Sequence, residues 1–141
     1  MPSAANEIVI ARPPEDVFRF LADPENDPQW RSGVLDLERI SGSGVGARYA
    51  QGVKGPRGRR IAADIEITEL EPASAIAFQT VTGPVRPRGR YLLEPADGGT
   101  RVRFELEAKL GGFKRLMAPM VQKTMNAEVG HLDRLKEVLE R

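Results

Sequence analysis

The chain has 141 residues, 40% of them hydrophobic and 29% charged, with a formal net charge of +1, one histidine and no cysteine. That length suits one domain, 1–141, with its own core, and the near-zero charge provides no global attraction to nucleic acid or to an anionic membrane. Disulfide frameworks, cysteine metal sites and multi-histidine metal sites are excluded by composition.

In chain order, EIVIAR at 7–12 reads as a short strand that Pro13 and Pro14 end. Pro14 suits the first turn of a helix, Glu15 and Asp16 suit its positive end, and Val17, Phe18 and Leu21 have the spacing of a buried face. Pro24 and Pro28 break the chain into a second short helix or turn, DPENDPQW, ending at Trp30. From 34 to 110 six further strands are expected: VLDLERI, ARYAQGVK, RRIAADIEITEL, AIAFQTV, VRPRGRYLLE and TRVRFELEAKL. The clusters SGSGVG, KGPRG, EPAS, TGP and ADGG separate them, and such short connections favour an antiparallel sheet. Alternation is cleanest at 101–110, where Val102, Phe104, Leu106, Ala108 and Leu110 share one face and only charged residues occupy the other. After Gly111-Gly112 the pattern is helical over 113–141, roughly 40 Å of helix. Pro119 either kinks that helix or lies in the first turn of its regular part.

The N-terminus MPSAANEIVIARPPEDV lacks the apolar core of a signal peptide, and no run approaches the ~20 apolar residues of a membrane span. The expectation is a cytoplasmic protein.

The stretches PPEDVFRFLADPENDPQW, GVGARY, ADIEITELEPASAIAFQT, DGGTRVRFELEA and LDRLKEVLE, in this order and spacing, resemble the START-like, or SRPBCC, superfamily of polyketide cyclases and lipid-transfer proteins over essentially the whole chain. The resemblance implies an α+β helix-grip fold. A seven-stranded curved antiparallel sheet would wrap around a long C-terminal helix, with two short helices after the first strand and an apolar cavity between sheet and helix. It carries over no catalytic residue.

On a helical wheel Leu116, Met117, Met120, Val121, Ala127, Leu132, Leu135, Val138 and Leu139 form an apolar arc, with Thr124, Glu128 and His131 near its middle. Spacings of i,i+4 and i,i+3 make the three polar residues neighbours. Two readings stand side by side. In one, they line a cavity and orient a ligand. In the other, the helix packs plainly, His131 is a satisfied core histidine, and Glu128 reaches solvent or a strand arginine, because a buried carboxylate must be paired, protonated or wet. His131 as a general base oriented by Glu128 is a weaker catalytic candidate. Trp30, Tyr49, Phe78 and Tyr91 are candidate aromatic walls, and Met117 and Met120 candidate adaptable ones. Arg57, Arg59, Arg60, Arg86, Arg88 and Arg90 form either a patch for an anionic group or acyl-carrier partner, or a solvated sheet face balanced by Glu66, Glu105 and Glu107.

The leading functional reading is binding or transport of a small hydrophobic, lipid- or polyketide-like ligand, with Trp30, Tyr49, Phe78, Tyr91, Met117, Met120, Thr124, Glu128 and His131 lining its site. The alternatives are a polyketide cyclase or aromatase using the same cavity, and an interaction module without a ligand; the reading leans away from an enzyme. No cofactor or metal is expected, no nucleic-acid partner, and a monomer or weak homodimer.

Overall fold

The computed structural model describes residues 2–141. Strand β1 (Ser3–Ile10) is followed by helix α1 (Pro14–Leu21) and a 3-10 segment (Pro24–Gln29). Seven strands come next: β2 (Val34–Ser41), β3 (Arg48–Lys54), β4 (Arg60–Ala62), β5 (Ile65–Glu71), β6 (Ala75–Thr80), β7 (Arg88–Ala96) and β8 (Gly99–Glu107). A 3-10 segment (Gly112–Met117), α2 (Ala118–Gly130) and α3 (Leu132–Leu139) complete the chain. The sheet is antiparallel, in the order β1-β8-β7-β6-β5-β3-β2, with β4 paired to β3.

Eight strands form rather than seven, because the expected strand RRIAADIEITEL breaks at Ala63-Asp64. The Asp64 carboxylate accepts the Gln51 backbone N–H at 3.2 Å, and its own N–H donates to Thr82 Oγ1 at 2.7 Å. Those bonds interrupt the ladder, so β4 and β5 both pair with β3 on either side of the break, and β5 pairs with β6 along its other edge. β1 begins earlier than EIVIAR, since its register with β8 runs from Ser3 opposite Glu107 to Ile10 opposite Thr100.

Proline sets the helix starts. Pro14 opens α1, with Glu15 and Asp16 in its first turn. Pro24 and Pro28 hold the next segment in a 3-10 form, which Asp23 caps by accepting from the Glu25 N–H at 3.1 Å. Pro119 lies in the first turn of α2, the second of the two arrangements its position allows.

The C-terminal helices run alongside β1 in the same direction. Gln122 Nε2 donates to Ser3 O (2.6 Å), Asn6 Nδ2 to Val129 O (3.0 Å), Lys136 Nζ to Val9 O (2.8 Å), and the Ala11 N–H to Glu140 Oε2 (2.7 Å). The match is geometric, for Ser3 to Val9 on a strand and Gln122 to Lys136 on a helix each span about 20 Å. Side chains of the helix thereby satisfy backbone groups on the free edge of β1, which would otherwise invite strand addition.

The inward stripe of the helix is Val121, Met125, Val129, Leu132, Leu135 and Leu139, all buried with the inner sheet residues Tyr91, Leu93, Val102, Phe104 and Leu106. Leu116, Met120, Thr124 and Ala127 are exposed, so the apolar arc drawn from sequence is rotated from the true one. The rotation arises because Phe113, Leu116 and Met120 are apolar yet face water, while Met125 and Val129 carry the buried stripe.

Two leucines on this segment test that phase. Leu135→Ala (0% exposed) is expected to cost about 2–5 kcal/mol in urea unfolding, and Leu116→Ala (85% exposed) less than about 0.5 kcal/mol. Equal costs would contradict the phase.

Candidate functional site

Where the first 3-10 segment meets the helix, the interior holds a charge cluster. The Asp27 carbonyl accepts the N–H groups of Trp30 and Arg31, at 3.1 and 2.8 Å, and this turn aims both side chains inward. Arg31 is 4% exposed. Its Nε and Nη2 donate to the two oxygens of Glu128, at 3.2 and 3.1 Å, a bidentate fork across 97 residues of sequence. Its Nη1 donates to Asp27 Oδ2 at 2.9 Å and reaches Gln51 Oε1 at 3.5 Å. Gln51 is turned inward by the strand break, its Nε2 donating to Ala63 O at 2.9 Å. The guanidinium carbon lies 5.8 Å from the centre of the Phe78 ring, a cation–π contact.

One guanidinium faces two carboxylates, which leaves an excess negative charge in a buried place. The structure distributes it unequally. Burial pushes the Glu128 carboxyl up, but the Arg31 charge, helped by the nearby His131 ring, outweighs burial and brings its pKa to about 2. Asp27 has only one oxygen on Arg31, and burial wins, raising its pKa to about 6. Burial works against the Arg31 charge too, and is outweighed by Glu128 and Asp27, so its pKa moves further up.

Beside the cluster the aromatic residues pack on one another. Trp30 meets Tyr91 and Phe104 edge-on, with ring centres 6.1 and 6.0 Å apart, and Tyr91 stacks on Phe104 at 4.5 Å. Phe78 tilts against Tyr91 at 6.0 Å and lies over Gly89, where any Cβ would strike its ring. Among the described residues Trp30 Nε1 and the Tyr91 hydroxyl, both buried within this aromatic group, have no hydrogen-bond partner. Burial first, and then the Asp27 charge, push the Tyr91 phenol well above its ordinary value.

The structure therefore gathers Trp30, Phe78, Tyr91 and Glu128 around Arg31. Tyr49 is buried on β3 in the same core. His131 sits at the rim, with Nε2 3.0 Å from Ser32 Oγ and Nδ1 3.7 Å from Glu128 Oε2, too far for a hydrogen bond. Met117 is half-buried, Met120 is half-exposed, and the exposed Thr124 donates to the Met120 carbonyl at 3.1 Å. These last two are on the outer side of the helix. Glu128 pairs with a loop arginine rather than a strand arginine or solvent.

Arg31, Asp27 and Gln51 are absent from the residues singled out in the sequence. The usable signal was the unbalanced Glu128, which demands a cation, and an Asp-x-x-x-Arg spacing across the proline-rich turn.

Of the six arginines singled out in the sequence, Arg60, Arg88 and Arg90 lie on a solvated sheet face in ion pairs, and among the described residues Arg57, Arg59 and Arg86 have no carboxylate partner. Arg88 pairs with Glu107, Arg90 with Glu69 (3.0 Å), Arg48 with Glu66 (2.9 Å), Arg60 with Asp36 (2.7 Å), and Arg103 with Glu105 (2.8 Å) and Glu7 (3.3 Å). A groove of about 670 Å³ crosses this outer face, lined mainly by Thr68, Ala77, Arg88, Arg90, Arg103 and Glu105. A second concavity of about 360 Å³ lies between α1 and the β5–β6 turn. Neither is the chamber between helix and sheet that the resemblance implies.

An antiparallel sheet with a C-terminal helix along its length is a START-like arrangement. The sequence pattern of the polyketide cyclase / dehydrase and lipid transport family matches residues 1–140, and the chain belongs to that family. The structure of TTHA0849 from Thermus thermophilus is similar, with a TM-score of 0.80 and 27% identity over 96% of this chain and 95% of that one. A START superfamily protein from Mycobacterium smegmatis shares the fold at a TM-score of 0.76 and 19% identity, over 98% and 97% of the two chains. The uncharacterized protein Rv2574 of Mycobacterium tuberculosis is 29% identical over 111 residues, 76% of this chain. The chain matches 65% of the length of the curated relatives. Among the described residues no helix is long and apolar enough to cross a membrane.

The two carboxylates give opposite pH dependences. Glu128, whose pKa falls from 4.5 to about 2 on folding, contributes stability above pH 4.5 that is lost as pH drops toward 2. Asp27, raised from 3.8 to about 6, contributes stability below pH 4 that is lost as pH rises through 6. Each displacement is worth on the order of 3 kcal/mol. In thermal unfolding followed across pH, Asp27→Asn is expected to flatten the limb between pH 4 and 6, and Glu128→Gln the limb between pH 4.5 and 2. Unchanged limbs in both variants would contradict this charge distribution.

Proposed function

We propose that the protein binds a small, mainly apolar molecule carrying a hydrogen-bond acceptor such as a carbonyl oxygen. The molecule sits against the aromatic cluster between sheet and helix. The observation that carries this reading is the pair of buried, unpartnered groups, Trp30 Nε1 and the Tyr91 hydroxyl. An indole N–H can only donate, and a buried donor without an acceptor costs about 1–3 kcal/mol. Two of them in one aromatic cluster suit an acceptor oxygen on the guest. The Arg31 cluster is internally engaged, so it serves as a rigid polar wall and leaves the acceptor to Trp30 and Tyr91. Family membership supports the same reading. Phe78, Tyr49 and Tyr91 would supply apolar contact at about 25 cal/mol per Å² buried. Room for the guest would come from rearrangement of side chains, for which the adaptable Met117 and Met125 at the helix are suited.

Tyr91→Phe separates this reading from a plain packing role. It removes an unbonded buried hydroxyl and keeps the ring. The free protein should hold or raise its melting temperature, while affinity for an aromatic ketone probe such as 2-acetylnaphthalene falls about fivefold, the value of one lost hydrogen bond. A lowered melting temperature with unchanged probe affinity would overturn the reading. Native mass spectrometry of the purified protein asks the complementary question, whether an apolar molecule travels with it.

A further inference from the structure

At the start of the C-terminal helix the chain presents apolar side chains to water. Phe113 is 86% exposed, Leu116 85% and Met120 51%. The spacings 113, 116 and 120 put them on a common exposed side of the 3-10 segment and the first turn of α2, where Met117 is half-buried and Val121 and Met125 are buried. The charges of this segment are of one sign. From Lys109 to Ala127 the chain carries Lys109, Lys114, Arg115 and Lys123 and no aspartate or glutamate. Among the described residues none of these four cations is in an ion pair. Lys114 Nζ donates instead to Pro84 O at 3.0 Å, which brings the loop bearing Arg86 alongside. The contrast with the outer sheet face is sharp, for there the arginines of β3, β4, β7 and β8 are matched with carboxylates.

We propose that residues 109–124 dock the protein on the surface of an anionic lipid bilayer. Phe113, Leu116 and Met120 enter the boundary between headgroups and acyl chains, and Lys109, Lys114, Arg115 and Lys123 lie over the phosphates. A row of protruding apolar side chains flanked by cations is the arrangement of helices that lie in a membrane interface. The attraction is local, which reconciles it with a net charge of only +1. A second copy of the chain is a poorer occupant, because packing this patch on itself would set four unpaired cations against four more. An acidic protein would meet the charges but would have to build a socket for three projecting side chains.

This inference does not depend on the interior binding a ligand, and its test uses no ligand. The full chain is sedimented with phosphatidylcholine vesicles, with and without roughly one third of phosphatidylglycerol. Binding is expected with the anionic vesicles and at least tenfold weaker with the neutral ones. Phe113→Ser combined with Leu116→Ser, and separately Lys114→Glu combined with Arg115→Glu, should each reduce binding at least tenfold. Both changes are at exposed positions, so melting temperatures should match the wild type and show that the fold is kept. Phe113→Trp adds an exposed reporter to a chain whose one tryptophan is buried, and its emission should shift to the blue when anionic vesicles are added. No binding to anionic vesicles, or binding that both double variants retain, would overturn the proposal. So would a concentration-dependent dimer that Phe113→Ser with Leu116→Ser abolishes, since the patch would then be a self-association surface.

Discussion

The fork between Arg31 and Glu128 is the constraint on which the arrangement depends. It is the buried ionic link between the segment that closes one side of the sheet and the helix that runs along it. A guanidinium taken out of water needs nearly all of its donors occupied, and Glu128, Asp27 and Gln51 occupy them here. Placing Glu128 inward sets the rotation of the helix. Val121, Met125 and Val129 then face the sheet, Thr124 faces water, and Phe113, Leu116 and Met120 project from the other side. One ion pair thus connects the core, the aromatic cluster and the exposed apolar patch. An apolar pair of similar volume could fill the same space at comparable stability, whereas removing one partner alone leaves a buried charge unpaired.

Charge placement elsewhere follows a simple division. On the outer face, arginines and carboxylates pair across strands in solvent, where each pair adds little to stability. Along the β1 edge, helix side chains occupy backbone groups that would otherwise be open. Two unmatched sets are informative: the aromatic donors in the interior, Trp30 Nε1 and Tyr91 Oη, and the cations around residues 109–124. The first supports the proposed ligand and the second the proposed membrane surface. A protein that did both would receive an apolar cargo at the bilayer where such molecules partition.

The architecture was largely legible in the residues because it rests on local signals. Period-two alternation marked β8, proline and acidic residues marked the start of α1, and Gly111-Gly112 marked the passage from strand to helix. The split between β4 and β5 was hidden because it depends on Asp64 capturing a backbone N–H across the sheet, which no spacing announces. The buried cluster offered as a candidate site was legible in part. Trp30, Phe78, Tyr91 and Glu128 were reachable from hydrophobicity and from an inward carboxylate. Arg31 was not, since a lone arginine after a tryptophan looks like any surface residue until the fold brings Glu128 to it. The helix phase was legible in part, since Val121, Leu132, Leu135 and Leu139 of the apolar arc are buried while Leu116, Met120 and Ala127 are exposed. A wheel counts apolar residues as inward, and three of them here are outward.

The central claim is that Arg31 and Glu128 act as one buried unit. A double-mutant cycle between Arg31→Met and Glu128→Leu, read by urea unfolding at pH 7, measures this directly. Each single change is expected to cost about 3–5 kcal/mol and the double variant to recover most of the loss, a coupling of at least about 2 kcal/mol. Single costs that simply add, to within about 0.5 kcal/mol, would show that the two side chains are independent and would contradict the account.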